Sequence, residues 1–194
     1  MSKPDPAKKE KWKTIRWIIT IFFSTVLISG VISFASNEIM ASSTIVVAFL
    51  ILLAIVLIGI VFDIIGVAVT SADEKPFHSM AARKVPGALE SLRLLRKAER
   101  VSSICNDVIG DICGVVSGAA SAAIAAQVLQ MGTFSWPQIV TLTMSALVAG
   151  LTVGGKAIGK SFAISSSTKI VHAVGRMFWG LHNIGKIFHK QKDR

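Results

Sequence analysis

Charged residues are scarce in this 194-residue chain, at 16%, and acidic ones scarcer still, with 11 Asp and Glu against 21 Lys and Arg. With 52% hydrophobic residues and a mean hydropathy of +0.63, the composition excludes an ordinary water-soluble domain. Cysteine is limited to Cys105 and Cys113, about two turns apart within one apolar run, so both are expected to be small packing residues rather than a disulfide or a metal pair. A phosphate-binding glycine loop, a soluble nucleophile triad and a cysteine metal motif are all missing, which leaves no support for aqueous enzymology. The chain is therefore read as a non-enzyme.

What the chain does have is apolar length. A bilayer core about 30 Å thick needs a helix of about 20 mostly apolar residues. Four stretches qualify, at 15–35, 44–70, 101–131 and 139–164. The fold class is thus all-α, a polytopic membrane protein with four transmembrane helices and amphipathic helices on the cytoplasmic surface. Lys8, Lys9, Lys11, Lys13 and Arg16 precede the first run in the manner of a secretory signal. The run is too long for an h-region, however, and no convincing cleavage site comes after it, so it is expected to stay.

Orientation is set by the basic residues, because short loops rich in Lys and Arg remain in the cytoplasm. Six lie at or before Arg16, seven between Lys75 and Arg100, and eight from Lys156 onward, with none in 36–43 or 132–138. This alternation predicts a multi-pass protein of the cell membrane with both termini cytoplasmic. Trp12, Trp17, Trp136 and Trp179 fall where amphipathic rings suit the headgroup level. The net charge of +10 is shared among membrane-bound segments without a binding motif, which argues against nucleic acid and for anionic lipid as a partner.

The chain divides into three parts: a basic cytoplasmic N-terminus at 1–14, a transmembrane domain at 15–165 with juxtamembrane helices at 76–100, and a basic amphipathic C-terminal helix at 166–194. In the juxtamembrane segment Leu89, Leu92 and Leu95 recur at helical spacing, with Arg93, Arg96, Lys97 and Arg100 on the polar side. In the C-terminal part Ile170, Val171, Val174, Met177, Phe178, Leu181, Ile184, Ile187 and Phe188 form one stripe, while Lys169, Arg176, Lys186 and Lys190 line other faces. A helix so composed is expected to lie on the membrane surface.

Carboxylates inside a membrane cost about 2.5–3.5 kcal/mol each on insertion scales, so each one is a functional candidate. Asp63 lies roughly 12 Å above the cytoplasmic exit of the second span, and Asp107 and Asp111 lie at about 9 and 15 Å in the third, from the helical rise. Asp107 and Asp111 are four residues apart, with Asn106 beside them, which predicts one oxygen-rich face. Such hard oxygens suit magnesium, so Asp63, Asn106, Asp107 and Asp111 are the expected metal ligands and Mg2+ or another divalent cation the expected partner. Lys156, at a comparable depth in the fourth span, is the expected charge-balancing group. A bundle is foreseen from two ladders of small residues, Ser102, Asn106, Gly110, Gly114, Gly118, Ala122 and Ala126 in the third span and Ala146, Gly150 and Gly154 in the fourth. They serve either an intramolecular seam or a homodimer face.

The order of these features resembles the transmembrane domain of the CNNM/CorB/CorC (cyclin M type) magnesium transporters. The resembling stretches are Asp63 to Ser71, Cys105-Asn106-Asp107-Val108-Ile109-Gly110, and Thr152-Val153-Gly154-Gly155-Lys156, within about 44–181. Asn106 and Lys156 match the family pattern. Gly66 stands where the family has Glu, Gly155 where it has Pro, and Gly110, with Asp111 next to it, where it has the last Asn. The resemblance implies binding or transport of a divalent cation, without the family's CBS modules. An Asp-x-x-x-Asp pair also occurs in lipid phosphotransferases acting on CDP-alcohols, but their Asp-Gly-x-x-Ala-Arg opening is missing. The alternative is a non-catalytic scaffold or lipid-interacting protein whose carboxylates only organise the bundle.

Overall fold

The computed structural model describes residues 6–41, 43–132 and 135–192, with side chains described for all of these except 6–11, 13, 37, 40, 41 and 184–192. Every regular element among them is helical: α1 (Pro6–Ala41), α2 (Ile45–Ser71), α3 (Lys75–Ala82), α4 (Ala88–Leu95), α5 (Ala98–Ser103), a π-helical segment (Ile104–Gly110), α6 (Asp111–Gln130), α7 (Pro137–Ser165) and α8 (Ser167–Lys192). Four helical stretches are long and apolar enough to cross a membrane, at Thr14–Ser36, Ile45–Ser71, Ala98–Gln130 and Pro137–Ser165. Their ends fall within three residues of the sequence expectation, because runs this apolar leave the helix as the only single-segment structure that satisfies its own backbone in lipid. The chain is an all-α polytopic membrane protein.

Two compact units divide the chain. The first comprises 1–55 and 112–146. Its buried positions on α6 are Ile112, Val116, Ala120 and Ile124, spaced by four, with Ser117, Ser121 and Ala125 beside them, and on α2 they are Ala48 and Leu52. Gly114 and Gly118, from the predicted ladder, have open space where a side chain would begin. A ladder of that spacing requires an unbroken α-helix. The π segment ahead of α6 does not keep that spacing, and the buried face of α6 falls on other residues.

The second unit comprises 56–111 and 147–194. Its core is Ala68, Val69, Phe77, Leu92, Leu95, Ala163 and Val171, drawn from α2, α3, α4, α7 and α8. Pro76 opens α3, where a missing N–H does no harm. Gly87, at φ +84°, precedes α4 and has the backbone of Arg176 against it, at 2.5 Å from where a side chain would start. On the other side of this crossing Gly175 meets the Ser91 hydroxyl. That hydroxyl shares its one hydrogen between Gly87 O at 2.9 Å and Val171 O at 3.2 Å, and His172 Nε2 donates to Pro86 O at 3.2 Å. The α8 stripe is therefore divided. Ile170 and Val171 pack into the protein core, while Met177, Phe178 and Leu181 stay exposed.

Candidate functional site

In the second unit Asp63 approaches Lys156, and Asn106 lies against Gly66 one turn along α2, because glycines allow their helices to come close. On α7, Gly155 receives the Ile60 side chain and Gly159 lies with Ile64 Cγ1 2.8 Å from its would-be Cβ. Both isoleucines flank Asp63 on α2. This contact runs one residue out of step with the foreseen Ala146, Gly150 and Gly154 ladder, and Gly150 and Gly154 have open space instead. One turn beyond Asp63 on α2, Gly66 faces the Asn106 side chain so closely that a methyl group there would overlap its Oδ1. On the third span Gly110 lies with Lys156 Nζ 3.4 Å from its would-be Cβ.

The resulting polar arrangement is incompletely paired. Asp63 is 4% exposed, and its Oδ1 lies 3.9 Å from Lys156 Nζ, while Oδ2 is buried with no hydrogen-bond donor. Asn106 Nδ2 donates to Ser102 Oγ at 3.3 Å, and Asn106 Oδ1 is likewise buried and unpartnered. Two buried acceptors thus stand about one turn apart along α2, a costly condition for groups shielded from water. The Lys156 contact is long for an ion pair, so it offsets the carboxylate charge without saturating its oxygens.

The other two expected ligands are not buried with them. Asp107 is exposed and its Oδ2 accepts a 2.8 Å hydrogen bond from Ser103 Oγ, and Asp111 is exposed at the start of α6. A single oxygen-rich face depends on four-residue spacing, and the π segment that contains Asp107 does not keep that spacing. Among the described residues no group of three or more His, Cys, Asp or Glu side chains is gathered so as to hold a metal ion. Cys105 is a free thiol buried within the π segment.

Gly66, Gly155 and Gly159 are site-forming residues that the sequence reading misses, whereas Gly110 is foreseen there as a rung of the packing ladder. Gly66 and Gly155 stand out there only as departures from a family pattern, whereas their small size is what admits Asn106 and Ile60. Of the surface residues, Lys169 and Arg176 are exposed, and the side chains of Lys186 and Lys190 lie outside the described residues. Compared with family models, curated proteins and solved structures, the chain matches none of them.

Proposed function

We propose that this membrane protein binds a hard divalent cation, magnesium or one like it, between Asp63 and Asn106, with Lys156 as the internal cation it competes against. The observation that carries the reading is the pair of buried, unpartnered oxygens, Asp63 Oδ2 and Asn106 Oδ1. Unpartnered acceptors attract a cation or a donor, and one carboxylate with one amide oxygen suits an ion that keeps several of its waters. The adjoining π segment supports the reading, since such wide turns concentrate at functional sites. The narrower ligand set leaves Asp107 and Asp111 outside the inner shell. Transport in the manner of CorB-like proteins, and a cytoplasmic side for the basic layer in a cell membrane, belong to this proposal.

The experiment is Mg2+ binding to the purified full-length protein, read by calorimetry and by the shift in unfolding temperature. Asp63→Asn is expected to weaken binding by at least the roughly 10–100-fold seen on losing a supporting group. Asn106→Leu weakens it, Lys156→Gln strengthens it, and Asp107→Asn and Asp111→Asn leave it nearly unchanged. An Asp63→Asn protein that binds Mg2+ as the parent does sinks the proposal.

A second reading is favoured by the Asp63–Lys156 contact itself. Here the pair only organises a scaffold or lipid-interacting bundle. Buried pairs replaced together by apolar residues are often neutral or stabilising. On this reading Asp63→Leu combined with Lys156→Leu folds and functions normally, and Mg2+ has no effect on any variant.

A further inference from the structure

Beside the α4–α8 crossing, and separate from Asp63, lies a hollow of about 330 Å³. Its side-chain lining includes Lys84, Glu90, Arg93, Trp179, His182 and Asn183, with the backbone turn at 85–87 beneath. From these features we infer that the hollow holds the phosphate of an anionic glycerophospholipid.

The first argument is that its walls are fixed. Lys84 sits at φ +56°, a left-handed conformation unusual for a residue with a side chain, and the turn is held by Val85 N–H donating to Met80 O at 3.0 Å. The Gly87–Gly175 crossing and the Ser91 and His172 bonds lock α8 onto the same turn. A preorganised hollow binds without ordering itself first.

The second argument is charge and donor chemistry. Lys84 and Arg93 bring two fixed positive charges, and Glu90 brings one negative charge, 3.8 Å from Arg93. The Trp179 indole N–H, the Asn183 amide and the His182 ring add donors. Several donors around a net positive charge match an anion with several acceptor oxygens, and Arg with Lys is a common phosphate-binding pair.

The third argument separates a lipid from a free phosphate. Leu89, Met177, Phe178 and Leu181 are exposed by 47–59% on the two helices that form the hollow. A neighbouring hollow of about 260 Å³ shares Glu90, Arg93 and His182 and adds Leu94 and Phe178. A soluble anion has no use for that apolar border, whereas an acyl-glycerol body covers it, and Trp179 is a residue type favoured at the headgroup level. The chain also ties this layer to the spans. Three residues separate α2 from α3, one separates α7 from α8, and α5 runs on into the third span.

The test uses the full-length protein purified in detergent, with short-chain phosphatidic acid as the probe and bound lipid counted by intact-complex mass spectrometry. Lys84→Gln combined with Arg93→Gln is expected to lower lipid retention by about tenfold or more, since charge-assisted bonds are lost. Glu90→Gln is expected to raise it. Arg96→Gln with Lys97→Gln, which changes the same charge on exposed residues outside the hollow, is expected to leave it within about twofold. Phosphatidylcholine and glycerol 3-phosphate are expected not to compete at equal concentration. Equal losses in the two double variants would reduce the effect to general surface charge and overturn the inference. So would full competition by glycerol 3-phosphate, which would make the ligand a soluble phosphate.

Discussion

The two units of this chain differ in how far some of their polar side chains reach for a partner. In the first, the hydroxyls of Thr20, Ser117 and Thr141 donate to carbonyls of their own helices. In the second, Thr70, Thr152 and Ser165 donate at home as well, but Ser91 reaches the carbonyl of Val171, His172 that of Pro86, and Lys156 the carboxylate of Asp63, each on a different element. None of the most apolar stretch of α1 is buried, so that helix places few demands on its neighbours. A polar group satisfied across a gap fixes distance and rotation together, so the second unit is where a defined site is to be sought.

Four substitutions bear on that contrast, from the largest expected effect to the smallest. Lys156→Met removes the only cation paired with Asp63 among the described residues and should destabilise the protein by about 3–5 kcal/mol, with most of the loss recovered when Asp63→Asn is added. Unfolding in mixed detergent would measure both, and a loss near zero would mean that the pair does not hold the unit together. Gly87→Val combines a left-handed backbone with a clash against Arg176 and should cost about 3 kcal/mol, visible as faster proteolysis around the α4–α8 crossing. Ser91→Ala forfeits one bridging hydrogen bond within a buried contact, about 1 kcal/mol by the same unfolding assay. Leu27→Ala on α1, 69% exposed, should fall within about 0.5 kcal/mol, and a larger loss would show that α1 depends on a partner surface.

Much of the architecture was legible because depth and hydropathy are nearly the same information in a membrane. The four spans, the helices between the second and third, and the helical C-terminal segment could all be read from where apolar runs stop and basic residues begin. Rotation about the helix axis was much harder to read. An apolar helix looks alike from every side, so four-residue spacing on α7 selects Ala146, Gly150 and Gly154, when the close contact uses Gly155 and Gly159. Asp63 was legible as a carboxylate with no business in lipid unless something meets it. Asp107 and Asp111 carried the same signal and proved exposed, because the rule that places residues four apart on one face does not hold through a π segment.

That wide turn also bears on how the third span tolerates change in length. Residues 104–110 carry more chain per turn than an ordinary helix, so one codon deleted there would tighten the stretch toward regular α geometry. The deletion would then leave the helical register after it nearly unchanged, because the wide turn already absorbs the about 100° that one extra residue adds to a regular helix.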